Sequence, residues 1–128
     1  MIVKTPVRCT SLKVLVVDDH APFRAVLKTV LAETRAEVAE CASAVEALQR
    51  LDDLQPDLVL MDIEMPGLDG IAATRTLKSR RPQTRIVMVT QYDDPDMRAE
   101  AARAGACAYV LKDDLATLIQ FFSAEAKS

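Results

Sequence analysis

Four short, mostly apolar runs punctuate the chain, at residues 12–17, 58–61, 85–89 and 108–111. Each is too short for a typical helix and too continuously apolar for a half-exposed strand. That pattern predicts strands buried on both faces of a parallel sheet. A fifth run, residues 37–41, mixes polar and apolar positions, as a strand at a sheet edge does. Between the runs, apolar residues recur at helical spacing. Phe23, Val26, Leu27, Val30 and Leu31 make one stripe, with Pro22 suited to its first turn. Ser43-Ala44-Val45-Glu46 reads as a capping box ahead of Ala47, Leu48 and Leu51. A third helix is predicted from near Leu68, carrying Ile71, Thr74 and Leu77 and stopping before Pro82. A fourth covers residues 93–104, with Pro95 near its start and Gly105 after its end. A fifth follows Asp113-Asp114, with Leu115, Leu118, Ile119 and Phe122 on one face.

Five strands, each followed by a helix, predict an α/β fold with a doubly wound five-stranded parallel sheet. The edge-like second strand suits the order 2-1-3-4-5. Residues 12–126 are expected to form this single domain. Residues 1–11 lack the apolar stretch of a signal peptide and are expected to be a loose leader. The chain ends soon after the fifth predicted helix, so any output domain is expected beyond Ser128.

Composition narrows the class. At 128 residues the chain can bury a proper core. Its net charge of −3 gives no basic footprint for nucleic acid. No apolar run nears the roughly 20 residues that cross a bilayer. Cys9, Cys41 and Cys107 are odd in number and form no Cys-x-x-Cys pair, so neither a disulfide framework nor a zinc site is expected. They are expected to be buried as small apolar residues in a reducing, cytoplasmic compartment.

The chemistry lies at the strand ends. The run at 58–61 stops at Asp62, and the run at 12–17 stops at Asp18-Asp19. Ligands in open α/β sheets bind outside the carboxyl ends of the strands. Three carboxylates in one cleft of reduced dielectric repel one another and call for a cation between them. A hard divalent ion such as Mg2+ fits, since it takes oxygen ligands and shares sites with phosphate. Thr90 ends the third apolar run and supplies a hydroxyl; Lys112 ends the fourth and supplies an ammonium. Together these five residues form a constellation suited to phosphoryl groups.

They stand in Val16-Val17-Asp18-Asp19-His20, in Leu60-Met61-Asp62 with Met65-Pro66-Gly67-Leu68-Asp69-Gly70, in Val89-Thr90, and in Tyr109-Val110-Leu111-Lys112. In that order, each at a strand end, these motifs resemble the receiver domains of bacterial two-component response regulators, whose fold is called CheY-like. The resemblance runs from about residue 12 to 122. Asp18-Asp19-His20 and Thr90-Gln91-Tyr92-Asp93-Asp94 most resemble receivers that precede a LuxR-type helix-turn-helix output domain.

The resemblance implies that Asp62 takes a phosphoryl group from a sensor histidine kinase. It implies that Asp18, Asp19, Asp62 and the backbone carbonyl of Glu64 hold Mg2+ or Mn2+, and that Lys112 and Thr90 meet the phosphoryl group. Thr90 and Tyr109 are the implied switch, remodelling the face of the fourth helix, fifth strand and fifth helix for a phosphorylation-dependent homodimer or a downstream protein. No nucleic acid contact by this domain, no membrane and no turnover enzyme are implied, only self-catalysed phosphotransfer and autodephosphorylation. Glu64 and Tyr92 fall where the family lines the path of attacking water. Tyr92 is expected to obstruct that path, and Glu64 is placed to interact with Lys112. Asp113 stands where the family often has proline. His20, the single histidine, reads as a first-turn side chain near the site mouth.

Competing classes fit less well. A metal-dependent phosphatase of the haloacid dehalogenase type, with its aspartyl-phosphate intermediate, has an aspartate where Glu64 stands and a threonine two residues later, which is absent here. A flavin or nucleotide module would want a glycine-rich loop, and the glycines are only Gly67, Gly70 and Gly105. A receiver-like binding module that is not phosphorylated is disfavoured because every acid is intact.

Overall fold

Alternating side chains along the strands feed two separate apolar cores, one on each face of a single sheet. The structure is a computed structural model and describes residues 12–120. Its strands are β1 (Lys13–Val17), β2 (Glu37–Cys41), β3 (Leu58–Met61), β4 (Arg85–Thr90) and β5 (Ala108–Leu111). All neighbours are parallel, in the order β2-β1-β3-β4-β5. The helices are α1 (Ala21–Leu31), α2 (Ala44–Leu54), α3 (Gly70–Arg80) and α4 (Pro95–Ala104). A fifth, α5, is described over residues 115–120. This is the doubly wound α/β architecture that the apolar pattern predicts.

One core joins Leu15, Val17, Val59, Met61, Ile86 and Met88 to α2, α3 and α4, through Leu51, Leu77, Ala101 and Ala104. The other joins Val14, Val16, Leu58, Leu60, Val87 and Val89 to Leu27 and Leu31 of α1 and Leu118 of α5. β2 is the half-exposed edge strand that its mixed polarity predicts.

Several local expectations shift. α3 begins at Gly70 rather than near Leu68, because the Asp69 side chain caps it by accepting from the Ala72 N–H at 2.8 Å. α4 likewise starts at Pro95, capped by Asp94. The box at α2 is one-sided: Ser43 accepts from the Glu46 N–H, but the Glu46 carboxylate accepts from Ala42 rather than from Ser43. Val26 and Ile119 are exposed, since the buried stripes of α1 and α5 are narrower than the apolar ones. Cys41 is buried as expected, whereas Cys107 is exposed on the approach to β5. The predicted leader, Cys9 and Phe122 lie outside the described residues.

Candidate functional site

Strand register brings the acids together. Val17 pairs with Met61, so the next residues, Asp18 and Asp62, leave neighbouring strand ends side by side. Backbone bonds carry the ladder one step further: Asp62 N–H donates to the Val17 carbonyl at 2.9 Å, and Asp18 N–H to the Cys41 carbonyl at 3.1 Å. Asp18 and Asp62 are buried and Asp19 is exposed. One carboxylate oxygen from each of the three lies within 4.8 Å of the others.

Lys112 follows β5 and reaches back over this cluster. Its ammonium is 2.8 Å from Asp18 Oδ2, 3.7 Å from Asp62 Oδ2 and 4.7 Å from the centre of the Phe23 ring. One ammonium does not neutralise three carboxylates. Burial first, then the Asp18 charge, pushes the Asp62 carboxyl up to about 7 from 3.8, against the pull of Lys112 and a hydrogen bond from the Glu64 backbone. The donor set is all oxygen, anionic and short of positive charge, and therefore fits a hard divalent cation.

Thr90 ends β4 fully buried, and its Oγ1 accepts from the Tyr92 N–H at 3.2 Å. The Lys112 N–H donates to the Thr90 carbonyl at 2.8 Å, tying the two strand ends together. Tyr109 donates its hydroxyl to the Tyr92 carbonyl at 2.7 Å, and the Arg98 guanidinium lies 4.4 Å from the centre of its ring. The Tyr92 ring is 42% exposed, and its hydroxyl accepts from Gln91.

One expectation changes here. Among the described residues, Lys112 pairs with Asp18 and Asp62 and not with Glu64, whose side chain is exposed. The Lys112–Asp113 peptide is not cis. His20 occupies the N-cap position of α1 without a side-chain cap bond, and its N–H donates to Asp18 Oδ1 at 2.9 Å.

Sequence reasoning missed two contributors. Gly70 packs so closely beneath the site that a Cβ there would collide with the Asp62 carbonyl oxygen. The Asp69-Gly70 pair within the quoted motif carried that signal. Arg24, on α1, donates to the Asp18 carbonyl and to Glu40 across the sheet edge. One arginine on an amphipathic helix gives no signal in a single sequence.

Comparison with known proteins agrees with this fold. Residues 14–122 match the family described as response regulator receiver domain. The uncharacterized transcriptional regulatory protein YhcZ of Bacillus subtilis (strain 168) is 39% identical over 104 residues, which is 80% of this chain and 49% of that protein. Chemotaxis protein CheY of the same organism is 37% identical over 101 residues, covering 78% of this chain and 84% of its own. Among solved structures, a LuxR-family two-component response regulator from Aurantimonas sp. SI85-9A1 superposes with a TM-score of 0.84 at 31% identity, over 92% of this chain and 86% of that one. The signal receiver domain of the putative response regulator NarL from Mycobacterium tuberculosis gives 0.83 at 29% identity, over 92% and 98%. The chain thus spans about half the length of YhcZ. No helix among the described residues is long and apolar enough to cross a membrane.

Proposed function

Because the chain belongs to the response regulator receiver domain family of two-component signalling, we propose that Asp62 accepts a phosphoryl group from a sensor histidine kinase. The observation that carries this reading is Asp62 itself: a buried strand-end acid beside two further carboxylates, with the Lys112 ammonium over it. A buried aspartate with that company has no packing role to explain it.

In the proposed step an Asp62 carboxylate oxygen attacks phosphorus, and the bond from phosphorus to the donor imidazole nitrogen breaks. The electron pair stays with the imidazole, which takes up a proton. Asp18, Asp19, Asp62 and the Glu64 carbonyl are the proposed ligands of Mg2+ or Mn2+, which when bound offsets charge on the acids and on the phosphoryl oxygens. Lys112 exchanges its carboxylate partners for a phosphoryl oxygen. Thr90 turns its hydroxyl from the Tyr92 N–H toward another. A loose, anionic transition state asks for little more than such positioning and charge.

The aspartyl phosphate brings a charge of about −1.5 to −2 and new acceptor oxygens. Its effect would pass through Thr90 and Tyr109 to the face of α4, β5 and α5, where a second copy or a downstream partner would bind. DNA contact would belong to a separate output domain. Intact-mass measurement after treatment with acetyl phosphate and Mg2+ tests the assignment. One phosphoryl group on the native chain and none on Asp62→Asn is expected; equal incorporation in both overturns it.

A further inference from the structure

Each carboxylate of the cluster needs a fixed direction to serve a cation that demands near-octahedral geometry. Asp18 is buried and held by Lys112 and by the His20 N–H. Asp62 is buried and receives the Glu64 backbone N–H. Asp19 differs. It is exposed, and its carboxylate makes no hydrogen bond or ion pair with any described residue.

The peptide in front of Asp19 is held instead. The Asp18 carbonyl and the Asp19 N–H belong to one planar unit, so fixing the carbonyl sets the plane from which the Asp19 side chain departs. Arg24 fixes it, donating from one terminal nitrogen to the Asp18 carbonyl oxygen at 2.6 Å. Its Nε donates at the same time to Glu40 Oε1 at 2.9 Å, and Glu40 Oε2 holds Lys28 at 2.8 Å. The Arg24 side chain is only 18% exposed. Glu40 thereby anchors the guanidinium at that carbonyl.

We propose that Arg24, anchored by Glu40, is a positioning residue for the divalent-cation site, aiming Asp19 through the Asp18 carbonyl. The inference rests on the cation reading of Asp18, Asp19 and Asp62 given above. Neither residue touches the reacting atoms. A planar fork serves both acceptors at once, which a lysine ammonium on a flexible stem does less well.

The test is Mn2+ titration of the unphosphorylated full chain, read by electron paramagnetic resonance, with folding checked by circular dichroism in EDTA. Groups that orient metal ligands change affinity by roughly 10–100-fold. Arg24→Met is expected to weaken Mn2+ within that range, Arg24→Lys to recover part of the loss, and Glu40→Gln to weaken it less than Arg24→Met. Arg80→Met is the control. That arginine also bridges a carbonyl (Leu48, 3.0 Å) and an acid (Asp52, 3.5 Å), but at the C-terminal end of α3, away from the site. It should leave the affinity unchanged. Native Mn2+ affinity in folded Arg24→Met and Glu40→Gln overturns the proposal while leaving the cation reading intact. Should Arg24→Met fail to fold, Glu40→Gln decides alone. A native chain that binds no Mn2+ overturns both.

Discussion

Tyr109 and Thr90 hold opposite sides of the same residue, Tyr92. The Tyr109 hydroxyl donates to its carbonyl at 2.7 Å, and the Thr90 hydroxyl accepts from its N–H at 3.2 Å. Any turn of the Thr90 hydroxyl toward a phosphoryl oxygen therefore releases one tie on the loop that Tyr109 also holds. A single hydrogen bond contributes about 0.5–1.5 kcal/mol. Tyr109→Phe is accordingly expected to speed amide exchange in residues 91–94 by up to roughly tenfold without phosphorylation. In the native chain, beryllofluoride with Mg2+ should change exchange mainly between Thr90 and Leu118. Changes confined to α1 and α2 would show that the signal takes another route.

Gly70→Ala should be costly out of proportion to one methyl group. The new Cβ would meet the backbone of Asp62 and Ile63, which cannot yield as a flexible side chain can. Overpacking of this kind costs about 1–3 kcal/mol. Because the obstacle is the Asp62 carbonyl, the variant is expected to lose Mg2+ affinity as well as thermal stability. Calorimetric titration beside a melting curve checks both, and a variant with native melting and native Mg2+ affinity would refute the close approach.

Much of this was legible in the sequence because strand burial and strand termination are local signals. The apolar runs at residues 12–17, 58–61 and 85–89 marked the strands, and the polar residues that end them, Asp18, Asp62 and Thr90, marked a common edge. Pairings across the chain were less legible. Arg24 with Glu40, and Tyr109 with the Tyr92 carbonyl, join residues that only strand order brings together. Helix ends were half legible: Ser43 and Gly105 announced theirs, whereas Gln55 closes α2 at φ 45°, where no glycine gave warning. Cys107 was misread because apolar character says nothing about which end of a strand meets solvent.

Tyr92 sets a third expectation, for the lifetime of the phosphorylated state. It stands two residues beyond Thr90, with a half-exposed ring whose hydroxyl is held by Gln91. On the proposed Asp62 phosphate, a bulky ring at this position would hinder water approaching in line with the scissile bond. Tyr92→Ala should lose phosphate faster than the native chain when followed by intact mass after removal of acetyl phosphate. Equal decay would mean that the ring does not guard that approach.

The raised Asp62 carboxyl makes the metal-free protein sensitive to pH in an unusual sense. Its folded value is about 7 against 3.8 for an ordinary aspartate, so between those values the native state holds a proton that the unfolded chain has released. With more protons bound to the native than to the unfolded state, stability falls as pH rises. The contribution is fully present below about 3.8 and is lost as pH passes through about 7. Its size is on the order of a few kcal/mol, since each pKa unit is worth about 1.4 kcal/mol. In EDTA the native chain is therefore expected to melt lower at pH 8 than at pH 5.5. Asp62→Asn should show a smaller drop, because its amide cannot ionise. Added Mg2+ should restore most of the loss at pH 8 in the native chain by binding the ionised form. Parallel pH profiles for the native and Asp62→Asn chains in EDTA would show that Asp62 titrates as an ordinary carboxylate.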